Sequence, residues 1–185
     1  YLSFDGVTAR TNPKNHWEIP YALDSCRKTG TTVVFVPTLI KSINDHELGG
    51  IIRYAQKNLD VVHAVNFQPV SLTGRMGKTE RDKYRITIPD CIQRIEEQTE
   101  GQVTVDDWYP VPSCMPLTNV IEACSSKPKY ELSIHFACGA GAYVFQDADT
   151  KKLVPMTRFC DIQGMLELFE DKAEQIRSGA NKYFT

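Results

Sequence analysis

Val61-Val-His-Ala-Val-Asn-Phe-Gln-Pro69, followed closely by Ser71-Leu-Thr-Gly-Arg75, is an apolar run that breaks into polar groups, a proline and a glycine. Branched apolar residues bounded by breakers in this way read as a buried parallel strand opening onto a site. The same grammar occurs twice earlier, in Tyr1-Leu-Ser-Phe-Asp-Gly6 and in Thr31-Thr-Val-Val-Phe-Val-Pro-Thr38. Three strands are therefore expected to aim polar tips the same way.

Between them lie helical patterns. Pro20 to Lys28 has Pro20 in a first turn, Leu23 and Cys26 on one face and Gly30 as its stop. The next helix is expected to start from a cap at Asn44 or Asp45 and to carry Leu48, Ile51, Ile52 and Ala55 inward as far as Asn58. The result is β-α-β-α-β with short connections, which implies parallel strands, helices outside and functional loops at the strands' C-terminal ends. The pattern alone fits a barrel or an open sheet.

Beyond Gly74 the rhythm loosens. Gly77 to Arg85 is charged and expected as a loop, and Ile88 to Thr99 as a helix with Ile92 and Ile95 inward, ended by Gly101. Asp106-Asp-Trp-Tyr-Pro-Val-Pro-Ser113 is too rich in proline for regular structure and marks a boundary, giving units 1–110 and 111–185. The tail is expected to hold a helix at Leu117 to Cys124, strands at Tyr130 to Phe136 and Tyr143 to Gln146, and an amphipathic helix at Ile162 to Arg177.

The chain of 185 residues can bury a core without help from a cofactor. A net charge of -2 and scattered lysines argue against a nucleic-acid surface. No run approaches the length of a membrane span, so any lipid-handling activity would work from the membrane surface or in a tunnel, and the expected location is cytoplasmic or peripheral at the membrane. Tyr1 already stands inside a strand pattern, which leads to the expectation that these residues are the later part of a longer chain.

Two constellations carry chemistry. Ser3, Asp5, Thr38, Asn66 and Gln68, with Arg75 beyond, place hydroxyl, carboxylate and amide groups at strand tips, a set suited to the ribose, amino and carboxylate parts of a nucleoside-bearing cofactor. The plainer alternative is that Asp5 and Asn44 only cap loops and helices. The second set is Cys114, Cys124 and Cys138, with Cys138 inside Ala137-Cys-Gly-Ala-Gly141, where glycines let backbone N–H groups approach a sulfur-rich cluster. The six cysteines are many for a cytosolic domain, and metal explains some of them better than disulfides do. The spacing matches no compact metal motif, and three buried thiols in a core is the alternative. His135 stands three residues from Cys138 and is a candidate for a fourth ligand. Cys26 reads as core; Cys91 and Cys160 remain unassigned.

Ser3-Phe-Asp-Gly6 resembles a strand end of radical S-adenosylmethionine enzymes, and Val33 to Leu48, with Ile43-Asn-Asp45 and Glu47-Leu48, resembles the fifth strand and following helix of their barrels. Phe4-Asp-Gly6, Lys14-Asn-His16, Pro37-Thr-Leu-Ile40, the block Asn66 to Arg75, Ile86-Thr-Ile-Pro89 and Tyr109-Pro-Val-Pro112 together resemble the archaeal tetraether lipid synthase group, also described as 7,8-dihydro-6-hydroxymethylpterin methylases. The resemblance runs from Tyr1 to about Asp161.

The resemblance implies an α/β fold, the C-terminal half of a partial (β/α)6 radical S-adenosylmethionine barrel followed by a small auxiliary iron-sulfur region. It puts Ser3 and Asp5 beside the cofactor's ribose, Thr38 and Leu39 on its adenine side, and Asn66, Gln68 and Pro69 at the last strand's end. It makes Cys114, Cys124 and Cys138 ligands of an auxiliary [4Fe-4S] cluster. The C-x-x-x-C-x-x-C loop that holds the S-adenosylmethionine-cleaving cluster in such enzymes does not occur in these residues.

The expected reaction is joining of archaeal isoprenoid lipid-tail carbons through a 5'-deoxyadenosyl radical, with an external electron donor. The alternatives are radical methylation of a reduced pterin, an electron-transfer or structural iron-sulfur module, and a metal-free small-molecule-binding barrel. An apolar tunnel would favour the lipid, and a compact pocket with amide and carboxylate partners the pterin.

Overall fold

The computed structural model describes residues 1–129 and 134–181. The chain divides into two compact units, Tyr1–Val105 and Asp106–Thr185.

In the first unit the apolar runs become parallel strands. β1 (Val33–Phe35) pairs with β3 (Val62–Val65), and β2 (Thr38–Leu39) with β4 (Gln68–Pro69). Past a register irregularity at Val33/Val34, one offset holds from Val34↔Ala64 to Leu39↔Pro69. Backbone bonds from Asn66 N to Phe35 O (2.7 Å), Gln68 N to Pro37 O (2.9 Å) and Val70 N to Leu39 O (2.9 Å) continue it. The N-terminal segment joins the other side of β1 through a parallel bridge between Leu2 and Phe35.

Helix α1 (Ile19–Thr29) ends as expected at Gly30, whose φ of 66° gives the left-handed C-cap that glycine adopts without strain. It buries Ile19 and Leu23, and α2 (Leu48–Gln56) buries Leu48, Ile51 and Ala55. With Phe4, Phe35, Val61 and Val62 most of these side chains form one core, in which Phe4 stacks on Phe35 with ring centroids 4.5 Å apart.

Two local expectations are corrected. Helix α2 starts at Leu48 and takes no side-chain cap from Asn44 or Asp45. In place of a cap, Gln98 Oε1 accepts from Gly49 N at 2.9 Å while Gln98 Nε2 donates to Asp45 O at 2.8 Å. The charged stretch Gly77 to Arg85 is no loop but contains α3 (Lys78–Tyr84), all of it unburied. Helix α4 (Ile88–Gln98) follows, closed at its start by a Thr87–Asp90 capping box that satisfies two otherwise unpaired backbone N–H groups.

The second unit pairs β5 (Tyr109–Pro110) with β6 (Ala140–Gly141) and β7 (Val144–Gln146) with β8 (Leu153–Pro155), both antiparallel. Its helices are α5 (Met115–Ser125) and α6 (Ile162–Arg177). Asp161 caps α6 by accepting from Gly164 N at 3.1 Å. Asn119 Nδ2 of α5 donates to Glu170 Oε2 of α6 at 2.9 Å. Of the strand expected at Tyr130 to Phe136, residues 130–133 lie outside the described ones, and Phe136 opens a short 3-10 turn, Phe136–Cys138.

Candidate functional site

Alternation along parallel strands sorts the polar tips. Phe4 and Leu39 are buried, so Ser3, Asp5 and Thr38 stand on the opposite face, and Asn66 and Gln68 share that exposed side of the last strand. Leu39 is fully buried and turns its side chain into the core, away from the polar groups. Pro69 is partly buried beside it in the ladder.

The tips are tied together from below. Asp5 Oδ1 accepts from Thr38 N at 2.8 Å, and Thr38 is the ladder partner of Gln68. Buried Asn44 closes the arrangement: its Nδ2 donates to Asp5 O and to Thr38 O, each at 2.8 Å, and its Oδ1 accepts from Ile40 N at 2.8 Å. Asp5 and Asn44 thus hold backbone groups between the N-terminal segment and β2, and neither caps a helix.

The loop after Gly6 is held by another buried group that sequence reasoning did not single out. The Glu47 carboxylate accepts from Val7 N at 2.6 Å, Thr11 Oγ1 at 2.8 Å and Thr8 Oγ1 at 3.2 Å. Its only sequence signal is a glutamate just before an apolar helix, where a cap is the usual reading. Asn15 Nδ2 adds a 3.2 Å bond to Ser3 O, leaving its Oδ1 and the Asn12 Nδ2 buried without partners.

The cysteine set behaves differently. Cys114 is half-buried at the start of α5, and burial pushes its thiol pKa up; Cys124 and Cys138 are exposed. Among the described residues no group of three or more His, Cys, Asp or Glu side chains converges as a metal site. In this arrangement Cys114, Cys124 and Cys138 do not fit a cluster. His135 instead caps the turn before Cys138, its Nδ1 accepting from Ala137 N at 3.2 Å. Cys91 is core: burial pushes its pKa up to about 12. At pH 8 its thiolate fraction is about a thousandfold below that of a thiol at the ordinary value. Mass-spectrometric mapping after iodoacetamide treatment of the native chain is expected to find Cys124 and Cys138 alkylated and Cys91 unmodified. Labelling of Cys91 at the rate of Cys124 would contradict its burial.

No helix among the described residues is long and apolar enough to cross a membrane. No family model matches the chain.

Nearly the whole chain is, however, similar in sequence to a methyltransferase named for a pterin substrate. That relative is the 7,8-dihydro-6-hydroxymethylpterin dimethyltransferase of Methanocaldococcus jannaschii, 47% identical over an alignment 182 residues long that covers 95% of this chain. The chain spans 36% of that protein's length. The resemblance carried by Phe4-Asp-Gly6 and Asn66 to Arg75 to the group also described as pterin methylases is thus borne out. The expected joining of lipid-tail carbons is overturned, because the relative's name is that of a pterin dimethyltransferase.

Proposed function

We propose that this chain is part of a radical S-adenosylmethionine methyltransferase acting on a reduced pterin. The observation that carries the reading is the 47% identity to the pterin dimethyltransferase across nearly all of these residues. In this reading the first unit is the later portion of a (β/α)6 barrel, which the parallel pairing of β1 with β3 across α2 and the parallel bridge from Leu2 to β1 across α1 support. Its exposed polar face is the S-adenosylmethionine side. Ser3 and Asp5 hold the ribose hydroxyls, Thr38 lies toward the adenine, and Asn66 and Gln68 meet the amino and carboxylate end. Bound there, the cofactor supplies the radical that abstracts hydrogen from an unactivated carbon. The residues of this chain orient it: Asn44 fixes the tips and Glu47 the loop after Gly6, so that the polar groups wait in place and little reorganisation is needed on binding. An external electron donor belongs to the same reading. The auxiliary cluster does not enter it, since its three expected ligands are not gathered.

The reading is tested by a chimera in which these residues replace the matching third of the Methanocaldococcus jannaschii protein. After anaerobic iron-sulfur reconstitution, mass spectrometry is expected to detect methylated pterin from 7,8-dihydro-6-hydroxymethylpterin. Asp5→Ala is expected to weaken S-adenosylmethionine binding about tenfold, the loss of roughly one charge-assisted hydrogen bond. A chimera that folds, holds its cluster and cleaves S-adenosylmethionine yet leaves the pterin unmethylated would overturn the substrate assignment.

A further inference from the structure

The second unit holds a partly open cavity of about 330 Å³. Its walls are apolar and polarisable: Tyr109, Cys114, Leu117, Tyr143, Met156 and Met165. Asp107 and Thr157 also line it. The Asp107 side chain is only 1% exposed, accepts from Thr157 Oγ1, and is paired with Arg158 Nη2 at 3.1 Å. A concave space of this kind, with aromatic and thioether walls and one carboxylate at its edge, has the anatomy of a small-molecule site.

The size restricts the ligand. The volume lies at the small end of the usual range for ligand pockets and accommodates a bicyclic ring, not long chains. Tyrosine faces and methionine sulfurs suit the faces of a flat heterocycle, and a carboxylate suits an edge that presents N–H donors.

We infer that this cavity binds the pterin ring, its amino-amide edge turned toward Asp107 and its faces against Tyr109, Tyr143 and the methionines. The inference rests on the pterin reading above and adds where in the chain the ring is held. It gives the second unit a task that does not depend on a metal centre, with Asp107 held at the cavity wall by Thr157 and Arg158.

The test uses Cys114 as a reporter, because it lines the cavity while Cys124 does not. The 185-residue chain is titrated anaerobically with 7,8-dihydro-6-hydroxymethylpterin by calorimetry, and alkylation of each cysteine is followed by mass spectrometry. The pterin is expected to bind, to slow labelling of Cys114 at least about tenfold and to leave Cys124 unchanged. Ala142→Leu, which adds bulk at the cavity wall, is expected to remove both binding and protection while circular dichroism stays that of the parent. Binding without protection of Cys114, or binding indifferent to Ala142→Leu, would place the ring elsewhere and overturn the cavity assignment while leaving the pterin reading intact. An absence of binding to the parent chain would count against both.

Discussion

Gly6→Ala is expected to lower the unfolding free energy of the first unit by about 3 kcal/mol, a loss typical of overpacking plus a broken buried hydrogen bond. A Cβ at this position would stand 2.1 Å from Thr11 Oγ1 and 2.3 Å from Glu47 Oε2. Neither neighbour yields easily. Thr11 is buried and its hydroxyl is held 2.8 Å from Glu47, whose carboxylate also receives Val7 N and Thr8 Oγ1. Making room means separating that carboxylate from its donors in a site screened from water, so the cost exceeds that of a methyl group pushed against a flexible side chain. Gly50→Ala is the matched control: its Cβ would meet only Val7, at 3.4 Å or more, and its place inside α2 favours alanine by about 0.5–1 kcal/mol. Urea unfolding of the two variants is thus expected to move the midpoint in opposite directions. A loss below about 1 kcal/mol for Gly6→Ala would mean that the loop relaxes freely and that Glu47 does not fix it.

The contrast between these two glycines bears on what a sequence can disclose. Tyr1 to Gly6, read as a strand, makes only an isolated bridge at Leu2, whereas the runs Thr31 to Thr38 and Val61 to Pro69 were legible as strands because burial leaves an apolar signal in the sequence. The helices α1, α2, α4 and α6 were legible for the same reason. Helix α3 was not, since Lys78–Tyr84 buries nothing and offers no apolar period to read. Strands β5 and β8 each end in a proline, which argues against regular structure except in short two- or three-residue pairings such as these.

The site was half legible. Residue type and strand position marked Asp5, Thr38 and Gln68, and the fold sets them side by side. The roles of Asn44, Glu47 and Gln98 depend on partners 36 to 53 residues away in sequence, beyond the reach of capping rules that look three or four residues ahead. The cysteines show the converse limit. Their separation along the chain carries no information on convergence in space, and Cys114 lies in a cavity wall while Cys124 and Cys138 are exposed.

Asn44→Ala is expected to cost about 3 kcal/mol of stability and, in the reading proposed above, to weaken S-adenosylmethionine binding by more than any single tip substitution. One amide serves three backbone groups on two segments: Asp5 O of the N-terminal segment, and Thr38 O and Ile40 N at β2. Asn44 is 2% exposed, so truncation strands partners that water reaches poorly, at about 1 kcal/mol each. Alanine also cuts the Asn44 tie between Asp5 and β2, leaving the bond from Thr38 N to Asp5 Oδ1 as the link between these two residues. Asn44→Asp separates shape from chemistry: it keeps the acceptor for Ile40 N but turns a carboxylate oxygen toward two carbonyl oxygens, and is expected to be no more stable than alanine at pH 7. Because protonation restores a donor, the aspartate variant alone should regain stability as the pH falls toward 4. Denaturant unfolding at both pH values, run beside equilibrium dialysis with S-adenosylmethionine, reads both effects. If Asn44→Asp matched the parent at pH 7, the two carbonyls would not need the amide, and the tips would owe their placement to the ladder alone.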